Sequence, residues 1–238
     1  TVFANNSLGE GVNESGNFSV VGDYRDVYYS VGTNSSDLMV GLPNVTVVDG
    51  LGIFTVAQAD KVGVGDEVAY DSGSVGYIAG RVNSTAYYLV DNLGENVSDV
   101  SNVSVTNITR AFGSLSLAEA GADDAEYLGD TDLVLLNVGL NLACYGDGAD
   151  TDSVDIDGWT TGASNYIKIY TPVSSGEVGG SQRHSGVWDD SKYVLSETDT
   201  DALYLQENYT KIEGLQIIMN PSANYRDGIV ASSPTDNL

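Results

Sequence analysis

The chain has 238 residues, of which 34 are acidic and only 9 are basic, so its formal net charge at pH 7 is −25. Ordinary nucleic-acid binding needs clustered Lys and Arg and is excluded by this charge, which also disfavours contact with anionic membrane surfaces. The sequence contains no apolar run of roughly 18 residues or more, so we expect no membrane-spanning helix.

Residues 1–22 are polar and thinly apolar, which predicts an extended N-terminal arm. Residues 23–109 then alternate short runs rich in Val, Ile, Tyr and Thr with turn residues, starting with the aromatic strand Tyr24–Val31. This spacing predicts a small β-sandwich or barrel.

The chain contains ten Asn-x-Ser/Thr sequons, and nine of them precede residue 110. With 18 Asn and 41 Ser or Thr, random placement would give roughly three sequons. The excess indicates an N-glycosylated surface, and Asn, Ser and Thr enrichment in turns is the alternative. In strand 44–48 the alternation turns Asn44 away from Val45 and Val47, towards solvent. The acceptors are Asn5, Asn13, Asn17, Asn34, Asn44, Asn83, Asn96, Asn102, Asn107 and Asn208.

A helix is predicted over Arg110–Leu128, because Leu115, Ala118 and Ala122 recur at helical spacing. The segment Asp132–Tyr145 alternates strictly and predicts a long strand, in which Cys144 points into the core and is inert. Further short strands follow, separated by irregular insertions. This pattern favours the coils of a parallel β-helix, with an antiparallel sandwich as the alternative.

Four segments of the C-terminal half are similar to right-handed parallel β-helix surface proteins of environmental bacteria and archaea. They are 157–162 (DGWTTG), 165–172 (NYIKIYTP), 181–186 (SQRHSG) and 212–217 (IEGLQI). The resemblance covers about residues 110–231 and implies a capping helix followed by scaffold coils, in a family that includes adhesins, carbohydrate-active enzymes and inert structural domains. The acidic, sequon-rich chain also resembles subunits of glycan-coated extracellular fibrils.

The fold we predict is therefore all-β: a small β-sandwich or barrel, a capping helix and a short right-handed parallel β-helix, the last two over residues 110–238. An enzyme could use His184 as a base, with Asp189, Asp190 and Arg183 beside it, but a polar loop is the favoured interpretation. We therefore expect no catalytic residues. The five aspartates of segment 147–157 form a solvated turn or, as the alternative, a weak calcium site, the only cofactor we consider. They are Asp147, Asp150, Asp152, Asp155 and Asp157.

Three functions follow from these observations. The first is an extracellular, N-glycosylated structural subunit that polymerises head to tail with copies of itself, by adding an N-terminal strand such as Asn17–Val31 to a neighbour. The second is a secreted carbohydrate-active β-helix enzyme, and the third is an adhesin or surface-binding module.

Overall fold

The computed structural model describes residues 23–222 and 225–232, which form sixteen strands and two short helices. The all-β prediction is confirmed, whereas the predicted N-terminal arm lies outside the described residues. The elements in chain order are β1 Arg25–Val31, β2 Asn44–Val48, β3 Leu51–Phe54, β4 Glu67–Tyr70, β5 Ser74–Asn83, β6 Ala86–Val90, β7 Val100–Thr109, α1 Leu115–Gly121, α2 Leu133–Leu136, β8 Val138–Cys144, β9 Ala149–Asp150, β10 Val154–Ile156, β11 Ile167–Tyr170, β12 Val194–Glu197, β13 Leu203–Leu205, β14 Thr210–Glu213, β15 Gln216–Met219 and β16 Ile229–Ala231.

Strands β2 to β7 close into a six-stranded antiparallel barrel in the order β2-β3-β6-β5-β4-β7. The first hairpin is set by Asp49 and Gly50, which both have positive φ, as the two-residue turn that matches strand twist requires. Alternate residues fill the interior, including Val45, Val47 and Leu89, which are fully buried. Of the predicted sandwich or barrel, the structure therefore contains the barrel.

The other ten strands form three parallel sheets, which we call the stack. After β8, the chain visits the sheets in turn: β8, β9 and β10 are followed in the same order by β11, β12 and β13, and then by β14, β15 and β16. The register places Leu140 beside Ile167 and Ile167 beside Thr210, which are 27 and 43 residues apart. These unequal insertions explain why the sequence has no fixed-length repeat.

Strand β1 belongs to the stack and not to the barrel, so the predicted small β domain at 23–109 begins too early. It pairs in parallel with β8, from Arg25 opposite Val138 to Val31 opposite Cys144. The physical reason is that Val27, Tyr29 and Val31 continue the buried row of β8 and complete the core of the stack. The part of the proposed donor strand from Arg25 to Val31 is thus paired within its own chain.

Both predicted boundaries around the helix need correction. The helix α1 is shorter than Arg110–Leu128: it begins after Ser114, whose side chain accepts from the amide of Leu117, because Phe112 already pairs with Val31 of β1. The predicted strand Asp132–Tyr145 begins late, since its first part forms α2, capped by Asp132 and ended by Asn137 in the left-handed region. Cys144 is fully buried, as predicted, and burial raises the pKa of its thiol.

The barrel packs on the outer face of the β1-β8-β11-β14 sheet. Val64 and Tyr145 are buried between the two bodies, together with Ala143, Tyr170 and Val178. The insertion between β11 and β12 adds backbone hydrogen bonds, including Val64 N to Glu177 O at 2.9 Å. Strand β8 is consequently buried on both faces.

Candidate functional site

The sugar-acceptor sequons concentrate on the barrel. Seven of the ten fall on described residues, and Asn5, Asn13 and Asn17 lie outside them. Six of the seven belong to the barrel, its connecting loops or the segment that leads into it, whereas Asn208 lies between β13 and β14 of the stack. If the sequons are used, the barrel bears most of the sugar and the stack is nearly bare.

Asn83 presents its sequon on the tight turn between β5 and β6. Its Oδ1 accepts hydrogen bonds from the amide of Thr85 at 2.8 Å and from the hydroxyl of Thr85 at 2.9 Å, and the residue is exposed. Asn34 forms a similar turn, in which its Oδ1 accepts from the amide of Ser36 at 2.9 Å. These turns are closed by the sequon residues themselves and leave the asparagines at the surface.

Asn44 and Asn102 occupy neighbouring strands and contact each other. The Nδ2 of Asn44 donates to Oδ1 of Asn102 over 3.0 Å. The predicted alternation holds here, because Val45 and Val47 are buried while Asn44 and Asn102 face outward. Two glycans at this point would share one patch of surface.

Asn107 has a partly buried side-chain amide. Its Oδ1 is buried and has no hydrogen-bond partner among the described residues. Asn96 is exposed by contrast, and its Nδ2 donates to Asp49 O at 3.2 Å. The barrel therefore offers acceptors of very different accessibility.

The two ends of the stack differ. At the first end, which we call the closed end, the outer edge of β1 is covered by Gly65 and Phe112: Ser30 N donates to Gly65 O at 2.9 Å, and Gly32 N donates to Phe112 O at 3.0 Å. Helix α1 packs beside β10, and the Asp150 carboxylate accepts from the first helical amide at 2.8 Å. Hydrogen bonds within the chain therefore cover the last residues of the β1 edge at this end.

At the other end, strands β14, β15 and β16 are each paired on one side only, within the described residues. We call these three strands the open edge. They carry half-buried apolar side chains, Ile212, Leu215, Ile217 and Met219, beside the more exposed Ile218 and Ile229. Unpaired strand edges of this kind are templates for pairing with another chain.

The open edge is nearly neutral, whereas the strands that follow β1 in the stack are acidic. Residues 138–157, which form the first strands of the stack after β1, contain five acidic and no basic residues. Residues 210–231, which form the open edge, contain two acidic and two basic residues. In a chain of net charge −25, the open edge is therefore a surface with little self-repulsion.

A buried ion cluster joins the barrel to the stack. Arg110 donates from Nη1 to Asp66 Oδ1 at 2.6 Å and from Nε to Asp147 Oδ2 at 2.7 Å, and all three side chains are at most 2% exposed. The Arg110 guanidinium lies 3.6 Å above the ring of Tyr145. Burial alone would raise the pKa of Asp147, but Arg110 and Lys61 outweigh it and hold it below its ordinary value. The three side chains therefore bind one another and join the barrel to the stack.

The four residues considered for the alternative enzyme interpretation are each hydrogen-bonded to other groups. Within the described chain no hydrogen bond joins any two of Arg183, His184, Asp189 and Asp190. The Nδ1 atom of His184 accepts a hydrogen bond from the amide of Gly186, and Asp190 accepts one from the indole N–H of Trp188. Hydrogen bonds from Ser191 hold the pKa of Asp189 below its ordinary value, which is opposite to what a general acid requires.

The aspartates of segment 147–157 are dispersed. Asp147 belongs to the Arg110 cluster, and Asp150 accepts from α1 and from the Tyr193 hydroxyl at 2.8 Å. Asp152, Asp155 and Asp157 are exposed. The described residues contain no group of three His, Cys, Asp or Glu side chains that could hold a metal ion, so calcium binding stays a prediction without geometric support.

Comparison with known proteins identifies no relative: no family model, no curated protein and no solved structure matches the chain. None of the helices in the described ranges has the length and apolar character needed to cross a bilayer.

Proposed function

We propose that the stack is a short right-handed parallel β-helix, and that the chain is a structural subunit of an extracellular, N-glycosylated filament that polymerises head to tail. The regular visiting order of the three sheets supports the β-helix. The observation that carries the filament is the contrast between the closed end and the open edge of one stack.

The open edge favours association because its three strands have unpaired backbone groups and half-buried apolar side chains beside them. When two different surfaces of identical subunits bind each other, the subunits form a ring if the rotation between them closes. If the rotation does not close, they form a helical fibre. The near neutrality of residues 210–231 fits such a contact, because charged residues are depleted at interface cores.

The donor in this proposal is the N-terminal segment of the next copy. Residues 25–31 are paired with β8 of their own chain, so the donor is limited to residues 1–22, which lie outside the described residues. Main-chain hydrogen bonds to the open edge would supply affinity, and apolar residues such as Phe18 and Val20 would supply specificity.

The sugar coat supports an extracellular location and leaves room for this contact. Six described sequons belong to the barrel, its connecting loops or the segment that leads into it, and none of these six lies in the strands of the open edge. Asn208 alone precedes β14, so its glycan would lie at the rim of the edge. We propose that the coat protects the barrel while the stack makes the subunit contacts.

A charged residue on the open edge tests the proposal. Ile229 in β16 is 47% exposed, so Ile229→Lys leaves the fold intact but places a charge on the edge, a substitution that natural edge strands use against pairing. The matched control is Ile53→Lys on the barrel, where Ile53 is also 47% exposed. We expect sedimentation to show polymers for the wild type and the control, and monomers for Ile229→Lys. Equal polymerisation of both variants would contradict the proposal.

Of the two other functions, only the adhesin has an observation in its favour. The candidate catalytic residues His184, Asp189 and Asp190 accept hydrogen bonds from near neighbours in the sequence and none from one another, within the described residues, so no hydrogen-bond network supports the enzyme. A tyrosine-lined hollow on the stack, in contrast, has the composition of a binding site.

A further inference from the structure

The hollow lies at the amino-terminal ends of β1, β8 and β11, which are neighbouring strands of one sheet of the stack. It has a volume of about 460 Å³ and is lined by Tyr24, Asp26, Tyr166, Asn137, Ala163 and Ser164. Two phenol rings, one carboxylate, an amide and a hydroxyl thus surround one space. Sites for small ligands commonly combine aromatic walls with a few fixed polar groups of this kind.

Asp26 is the fixed centre of the hollow. Its Oδ1 accepts three hydrogen bonds, from the Tyr24 hydroxyl at 2.9 Å, the Tyr166 hydroxyl at 3.2 Å and Asn141 Nδ2 at 3.1 Å. Within the described residues Oδ2 makes no hydrogen bond, so this oxygen is available to accept from a ligand. Burial raises the pKa of both Tyr24 and Tyr166, which keeps their hydroxyls protonated and able to donate.

Gly139 makes this arrangement possible. A Cβ at position 139 would collide with the Tyr24 hydroxyl and lie 2.9 Å from Asp26 Oδ1. The glycine lies in the regular strand β8 and its φ is not positive, so its role is to leave space and not to allow an unusual backbone. The space that it leaves is occupied by the two groups that line the hollow.

The chemistry of the lining restricts the ligand. Asp26 and the net charge of −25 repel anions. A hard cation needs several oxygen ligands, and among the described residues Asp26 is the only carboxylate that lines the hollow. A neutral ring that carries hydroxyl groups fits the carboxylate and the phenol rings of the hollow. Its hydroxyls form charge-assisted hydrogen bonds to a carboxylate, and its apolar C–H faces pack on phenol rings.

We infer that this hollow binds one ring of a neutral saccharide, with Asp26 Oδ2 accepting from its hydroxyls and Tyr24 and Tyr166 contacting its apolar face. The saccharide comes either from the N-glycans of a neighbouring copy or from outside the assembly. The first source rests on the proposed function, whereas the hollow itself does not.

Binding is tested with two probes on monomeric protein: neutral glycans released from the protein itself, and neutral gluco-oligosaccharides. Asp26→Asn keeps an oxygen for the three donors but replaces the free acceptor Oδ2 by an amide. Gly139→Ala places a methyl group where the Tyr24 hydroxyl lies and so displaces one wall of the hollow. Gly176→Ala is the matched control, since its Cβ would meet nothing nearer than 3.8 Å.

We expect at least one probe to give titratable NMR shifts and saturation transfer from the tyrosine rings, with affinity reduced about tenfold or more in Asp26→Asn and Gly139→Ala and unchanged in Gly176→Ala. Near-ultraviolet circular dichroism would verify that each variant is folded. Binding of the released glycans supports a neighbouring copy as the source, and binding of gluco-oligosaccharides alone supports an external one. Absence of binding by both probes, or equal binding by Asp26→Asn, would overturn the site whether or not filaments form.

Discussion

Removing the buried Arg110 guanidinium is expected to weaken the junction between the barrel and the stack and so to lower the free energy of unfolding. In Arg110→Met, Asp66 and Asp147 keep their buried positions but lose the hydrogen bonds of 2.6 and 2.7 Å that compensate their charges. Breaking a buried pair in this way costs about 3–5 kcal/mol, because it leaves an uncompensated charge in a dry site. Asp147 keeps its ion pair with Lys61 at 3.2 Å, so the loss falls mainly on Asp66.

Urea unfolding followed by Trp fluorescence would measure this cost. With a slope of about 3 kcal/mol per molar urea for a chain of this size, the midpoint should fall by roughly 1–2 M. The control variant is Arg25→Met: it removes an ion pair in which the Arg25 side chain is 21% and the Glu95 side chain 61% exposed, and it should cost less than about 1 kcal/mol.

A triple variant separates charge from packing. Combining Arg110→Met with Asp66→Asn and Asp147→Asn removes all three charges, so a large part of the lost stability should return. The reasoning is refuted if Arg110→Met unfolds at the same urea concentration as Arg25→Met, or if the triple variant is less stable than Arg110→Met.

Three further predictions concern the surface, the backbone and the pH dependence. Glycopeptide mass spectrometry should find a glycan on most copies of Asn83 and on few copies of Asn107, because Asn83 lies on an exposed turn whereas Asn107 has a buried Oδ1. Higher occupancy at Asn107 than at Asn83 would contradict accessibility as the cause. Gly65→Ala should cost about 2–4 kcal/mol in thermal or urea unfolding, since φ is +85° and the Cβ would collide with the Ser30 amide nitrogen of β1 and lie 2.5 Å from the Tyr29 carbonyl carbon. Gly158→Ala, with φ +83° and open space, should cost about 1 kcal/mol, and equal costs would show that the contact is irrelevant. Asp147 has a lowered pKa in the folded chain, so its ionised form contributes stability above its ordinary pKa of 3.8, and this stability is lost as the pH falls. The difference in unfolding free energy between the wild type and Asp147→Asn should therefore shrink from about pH 5 towards about pH 2, and a constant difference would exclude this linkage.

Local patterns predicted the β class well, because they depend on neighbours along the chain. The alternation of Val45 and Val47 gave the buried face of β2, and the spacing of Leu115, Ala118 and Ala122 gave the buried face of α1. The length of α1 was overestimated, since helical spacing does not reveal that Phe112 is already paired with β1.

Long-range pairing was not accessible from these patterns. The strand β1 has the same aromatic and β-branched composition as a barrel strand, yet Val27 pairs with Leu140, 113 residues further along the chain. The partners of Arg110, at positions 66 and 147, lie in a glycine-rich loop and an aspartate-rich segment that resembled a solvated turn. The tyrosine hollow combines residues of three separate segments and has no signature in any one of them.

Negative-stain electron microscopy of the purified, glycosylated protein, with and without residues 1–22, tests head-to-tail assembly. The proposal predicts filaments with a regular axial repeat for the whole chain and dispersed single particles after the deletion, while circular dichroism stays unchanged because β1 and the stack are retained. Dispersed particles for the whole chain, or filaments that survive the deletion, would contradict strand addition to the open edge.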